Sequence, residues 1–98
     1  MRDWIHIDAR HGLSGKPLMR AIVQEVALAY GVPAETILGR ERTMDVAMAR
    51  QEAYHRIYAT RRFSYPMIGR FFGRDHTTIL HGVSAHEKRR ALAQQEAA

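Results

Sequence analysis

The sequence predicts a small all-α domain built around a helix-turn-helix, and three features carry that prediction. Apolar residues recur every three or four positions, and no segment alternates as a half-buried strand does. Residues 64–86 hold two short helical patterns separated by one glycine, Gly73. Glycine or proline also stands where the earlier patterns stop or start, at Gly31, Pro33 and Gly39. No internal repeat is visible.

Residues 1–16 show no sustained period and contain Gly12 and Gly15, so they read as an arm, loose or docked, with Trp4, Ile5 and Ile7 as anchors. Pro17 to Tyr30 reads as an amphipathic helix. Leu18, Ile22, Val26 and Tyr30 recur every four residues beside Met19, Val23 and Ala27. A short helix starts at Pro33 and stops at Gly39. Arg40-Glu41-Arg42 is a charged loop, after which Thr43 can cap a long helix from Asp45 to about Thr60 with Val46, Ala49, Ala53 and Ile57 inside. Arg61-Arg62-Phe63 leads into the motif.

Ser64 can cap the motif's first helix, and Pro66 fits its first turn, where a missing N–H costs little. Met67 pairs with Phe71 and Ile68 with Phe72 along that helix. Gly73 breaks it, Asp75 caps the second helix, and Ile79, Leu80 and Val83 form the stripe expected to be buried. The folded domain is therefore expected to span 17–90, with residues 91–98 as a frayed tail.

A chain of 98 residues suffices for one domain with a modest core. It has no cysteine, no apolar run of membrane-spanning length and no signal-peptide pattern, which suits a soluble cytoplasmic protein. The net charge of +5 is localised: residues 40–74 hold eight arginines against three acids, and the segments on either side are balanced. Arginine concentrated beside a helix-turn-helix is the footprint of a phosphate-binding surface. A merely solvated helix face is the plainer explanation, and location beside the motif favours nucleic acid.

Enzyme and metal chemistry find little support. Residues 10–17 resemble a phosphate-cradling loop, but Arg10 replaces its first glycine and Pro17 its Ser or Thr, so no nucleotide site is expected. His76, His81 and His86 are five apart, spreading by roughly 140° around a helix, and cannot converge on one ion. His6 and His11 lie near Asp8 in the arm and offer a possible site, but ordered metal binding is not expected there. Neither catalytic residues nor a cofactor are expected.

The start of the second motif helix carries the recognition chemistry. Asp75, His76 and Thr77 stand where a DNA-binding helix-turn-helix points at base edges in the major groove. A threonine methyl can pack on a thymine methyl, and an aspartate can accept from cytosine N4. An ordinary capped first turn would contain the same residue types.

The block Gly73-Arg74-Asp75-His76-Thr77-Thr78-Ile79-Leu80-His81 resembles the C-terminal DNA-binding domain, domain IV, of the bacterial replication initiator DnaA. The resemblance covers roughly residues 20–86. It includes Ala29-Tyr30-Gly31-Val32, Ile37 to Arg42, and Val46-Ala47 with Arg50-Gln51 and Ala53-Tyr54. It implies a Trp-repressor-like helical fold that binds short asymmetric duplex sites, the DnaA boxes. Asp75, His76 and Thr77 would read bases in the major groove, and Arg42 the minor groove. Arg50, Gln51, Thr78 and His81 would contact phosphates, Tyr65 and Pro66 would abut one, and Arg74 and Lys88 would add to that set.

Some positions depart from the family pattern. One glycine precedes the Arg-Asp-His block where the family usually has two, Glu41 and Asp45 bring acid to a mostly basic loop, and Ala85 and His86 stand where a base is usual. The initiator's nucleotide-binding motor has no counterpart in these residues, so neither ATP hydrolysis nor origin melting is expected. The expected partner is double-stranded DNA on the nucleoid, in replication initiation or transcription regulation, and the arm could contact the initiator or another protein. The competing reading is a protein-interaction module that keeps the initiator fold and binds a helical partner, using side chains such as Trp4, Met44, Met48 and Phe71.

Overall fold

A computed structural model describes residues 15–97 of the chain. Those residues form five helices and no strand: α1 (Gly15–Tyr30), α2 (Ala34–Leu38), α3 (Met44–Ala59), α4 (Tyr65–Phe72) and α5 (His76–Ala97). None is long and apolar enough to cross a membrane.

The helical periodicity translates directly into a core. Leu18, Ile22 and Val26 of α1 meet Ile37 of α2, Ala49, Ala53 and Ile57 of α3, Ile68 and Phe72 of α4, and Ile79 and Val83 of α5. Helix α3 is the centre, packing against all four other helices. Tyr54 is its hub. The ring lies edge-on to Phe72 at 4.8 Å, and a Cβ on Gly82 of α5 would stand 2.5 Å from Tyr54 Cδ2. Gly82 therefore lets α5 approach α3 closely enough to cover a large aromatic ring.

Several boundaries differ from the expected ones. Helix α1 spans Gly15–Tyr30 and so includes Gly15 and Lys16, while Trp4, Ile5, Ile7 and the His6–Asp8–His11 group lie outside the described residues. Helix α5 does not end in a tail frayed from residue 91 but continues to Ala97, because Ala, Leu, Gln and Glu are strong helix formers even when exposed. Pro33 is the N-cap residue of α2, not its first helical residue. Thr43 holds the N-cap position of α3, but its hydroxyl donates to Glu41 at 3.4 Å instead of capping. Leu80 is 38% exposed, so the buried stripe of α5 is narrower than its apolar sequence suggests.

The helix-turn-helix closes as the sequence requires. Ser64 Oγ accepts from Met67 N–H at 3.3 Å, and Gly73 takes the left-handed conformation, φ 70 and ψ 38. Arg74 N–H then donates to Gly69 O at 2.8 Å. A Cβ on Gly69 would lie 2.5 Å from the Arg74 carbonyl oxygen, so this second glycine allows the tight turn.

Candidate nucleic-acid interface

The first turn of α5 presents its side chains to solvent. Asp75, His76, Thr77 and Thr78 are all exposed. Asp75 Oδ1 accepts from both Thr77 N–H and Thr77 Oγ1, each at 2.8 Å, which caps the helix. These two bonds hold the Asp75 carboxyl below its ordinary pKa, so it is an anion at neutral pH. His76 Nδ1 stands 3.4 Å from the same oxygen, an ion pair only when the imidazole is protonated. Capping thus leaves other atoms of this turn available. Oδ1 is committed to the helix, Oδ2 remains an acceptor, and the Thr77 methyl stays free because only its hydroxyl is tied back.

Behind this turn a groove of about 450 Å³ runs between α3 and α5, lined by Ala47, Gln51, Thr78, His81 and Ala85 among others. Gln51 Oε1 accepts from Arg89 Nη1 at 2.6 Å, leaving the Gln51 amide protons as donors towards the groove. Exposed Thr78 and His81 add further polar groups to one wall. This gathers three of the expected phosphate contacts in one place. Lys88 is exposed seven residues beyond His81 and shares its side of α5.

Two of the expected phosphate ligands, Arg50 and Arg74, turn their guanidiniums to internal acceptors. Arg50 is 7% exposed and its guanidinium is spent on carbonyls: Nε on Ile37 at 2.7 Å, Nη1 on Glu41 at 2.9 Å, and Nη2 on Thr36 and Gly39, both at 2.9 Å. These carbonyls lie where α2 ends and the charged loop begins, and Thr36 O also accepts from Gly39 N–H at 3.3 Å. Arg74 Nη1 donates to Tyr54 Oη at 2.9 Å and its Nη2 to Gly39 O at 2.5 Å. Only the planar, multi-donor guanidinium could bridge so many acceptors. Both arginines still lend positive potential to the groove they line, but neither offers its side chain freely to a phosphate.

The consequence is mechanical. Gly39 O is held from α3 by Arg50 and from the helix-turn-helix by Arg74, so the loop bearing Arg40 and Arg42 is fixed to both. Arg40 and Arg42 are exposed and have no acid within ion-pair distance among the described residues. Through Gly39 O the loop bearing Arg42 and the helix-turn-helix are tied together.

At the other end of the motif, Tyr65 and Pro66 form the first turn of α4. The Tyr65 ring stacks on Tyr58 at 4.2 Å and 12°. Ser64 takes the Met67 N–H and Pro66 has none, leaving the Tyr65 N–H for an outside acceptor. The sequence reading did not single out Tyr54, Gly69, Gly82 or Arg89 as parts of the site. Glycines inside helical patterns were the available signal for Gly69 and Gly82, since each marks a close backbone approach.

Comparison with known proteins places the chain in a family. A family model described as the bacterial dnaA protein helix-turn-helix matches residues 19–85. The chain is 42% identical to the chromosomal replication initiator protein DnaA of Deinococcus radiodurans, over 67% of this chain and 14% of that protein. It is 40% identical to the same initiator from Neisseria meningitidis serogroup C, over 70% of this chain and 14% of the relative. It is 30% identical to the initiator protein DnaA 2 of Protochlamydia amoebophila, over 86% of this chain and 23% of the relative. No solved structure matches the chain significantly.

Proposed function

The chain belongs to the bacterial DnaA helix-turn-helix family, and from that premise we propose that it binds double-stranded DNA at DnaA-box-like sites. The observation that carries the reading is the exposed Asp75-His76-Thr77 turn, set beside a polar groove and a basic loop braced against it. On this reading α5 enters the major groove and Asp75 Oδ2, His76 and the Thr77 methyl meet base edges. Gln51, Thr78 and His81 take one phosphate run, Lys88 extends it, and Tyr65 with Pro66 abuts the backbone at the far side. Arg42 enters the adjacent minor groove, where a narrow A·T tract concentrates negative potential.

Such a protein would act on the nucleoid. It could occupy initiator sites in competition with the initiator, or regulate transcription from them. The chain spans 14% of the Deinococcus relative's length, so the relative's other activities are no guide here. No cofactor, metal or nucleotide has a role in this mechanism.

Fluorescence anisotropy with a DnaA-box duplex and a scrambled duplex, across a salt series, tests it. Box preference at moderate salt is expected, with affinity falling steeply as salt rises. A protein-interaction role gains some support from exposed Leu28, Met44 and Leu92, at 83%, 72% and 58%. Absence of binding to either duplex at low salt would overturn the DNA reading and direct the search to a protein partner.

A further inference from the structure

We propose that Arg61 and Arg62 form a second DNA-backbone station, separate from the groove between α3 and α5. The proposal rests on the duplex-binding reading above and adds ligands that the family resemblance does not supply.

Of the described residues, Arg61 is the one non-glycine at positive φ, 63°. It ends α3: its N–H donates to Tyr58 O at 3.0 Å, and Arg62 N–H donates to Thr60 Oγ1 at 3.3 Å. Glycine performs that backbone task without strain, so an arginine there points to a use for its side chain. Both arginines are exposed, and neither has a carboxylate within ion-pair distance among the described residues. Arg56, one turn earlier, contrasts with them. It is bound to Glu52 at 2.6 Å and faces Glu25 at 3.9 Å.

The surroundings suit a polyanion. A groove of about 690 Å³ is lined by Tyr58, Arg61, Arg62 and Ser64, with His55 and Glu87 across it. Tyr65, already assigned to the backbone, stacks on Tyr58 at its edge. Two guanidiniums beside a pair of tyrosines, contiguous with the first turn of α4, match phosphates spaced along a strand. The groove is open and has no glycine-rich cradle, which favours a backbone over a free nucleotide. Glu87 is the acid lining it, and its carboxylate lies 3.6 Å from His55 Nε2, turned to a side chain on the same groove.

Two variants of the full chain, Arg61→Gly and Arg62→Ala, separate anchoring from folding. Melting temperature is measured without DNA, and box-duplex anisotropy is measured over a salt series. Arg61→Gly should melt higher than the parent, because the strain is relieved, yet bind several-fold more weakly with a salt slope shallower by about one. Arg62→Ala should leave melting nearly unchanged and flatten the slope by a similar amount. Arg61→Lys should keep the parent slope. A higher melting temperature for Arg61→Gly with unchanged affinity and slope would reduce Arg61 to a helix terminator and overturn the station alone. Failure of the parent chain to bind any duplex would overturn both the station and the reading beneath it.

Discussion

Arg50→Lys distinguishes a brace from a phosphate ligand, because it keeps the charge and removes the fork. The guanidinium makes four hydrogen bonds to carbonyls. At about 1.5–3 kcal/mol for a hydrogen bond to a charged group, the gross interaction is on the order of 6–12 kcal/mol. Most of that is offset. Withdrawing a guanidinium from water costs several kcal/mol, and water can reach the three partly buried carbonyls once the side chain is gone. Breaking a buried ionic contact usually costs about 3–5 kcal/mol, and an ammonium recovers one or two of the four acceptors, so a net loss of about 3 kcal/mol is expected. For a domain of this size that is a fall in melting temperature of roughly 12–24 °C. Thermal unfolding followed by circular dichroism, with no DNA present, measures it. A surface phosphate ligand would behave otherwise, moving stability by no more than about 0.5 kcal/mol and tolerating lysine. A melting temperature within a few degrees of the parent, combined with weakened binding, would refute the brace.

The remaining expectations can be checked with similar means. Thr77→Ser keeps the hydroxyl that bonds Asp75 and deletes the methyl, so it should cost on the order of 1 kcal/mol on a box duplex and little on a scrambled one, by anisotropy. Gly82→Ala should destabilise the free domain by up to about 2 kcal/mol in urea unfolding, since overpacking against Tyr54 outweighs the roughly 1 kcal/mol gained in helix propensity. His86 is 8% exposed and its ring lies 4.9 Å from that of His55. Burial, then the neighbouring His55, pushes its pKa below the ordinary 6.5. The unfolded chain then binds the proton more readily, so the stability due to neutral His86 is complete above 6.5 and is lost as pH falls through that value towards the folded pKa. Melting temperature measured from pH 8 to 5 should drop across that window, and His86→Leu should flatten the drop.

How far the fold was legible follows from what periodicity encodes. A four-residue recurrence says which face of a helix is buried, so the interior faces of α1, α3 and α4 could be read from Leu18, Ile22, Val26, Ala49, Ala53, Ile57 and Ile68 alone. It does not say how closely two helices approach. That distance is set at Gly69 and Gly82, where a missing Cβ admits a carbonyl and an aromatic ring from elsewhere in the chain. Leu80 shows the same limit from the other side. Its spacing fits the apolar stripe, but α5 turns that edge outward next to the recognition turn. Caps were legible where the partner is local, as for Ser64 with Met67 and Asp75 with Thr77, and less so for Thr43, whose hydroxyl found Glu41 instead.

The arginines show what charge location alone leaves out. Sequence counts guanidiniums and does not say whose donors remain free for an outside partner. Of the eight arginines in residues 40–74, Arg50 and Arg74 close on carbonyls and Tyr54, and Arg56 closes on Glu52. Those left for a polyanion stand in two groups, Arg40 with Arg42 on the braced loop and Arg61 with Arg62 before α4, with Arg70 alone on α4. The withdrawn arginines matter to binding indirectly. By sharing Gly39 O, Arg50 and Arg74 fix the separation between the loop that would enter one groove and the helix that would enter the next. An interface that reads two grooves at once gains specificity only if that separation is held, because a loose loop pays its ordering entropy on every binding event. Arginine in this domain therefore stands in two settings: two side chains brace the loop against α3 and the helix-turn-helix, and the exposed ones are those that the proposed function would bring to DNA.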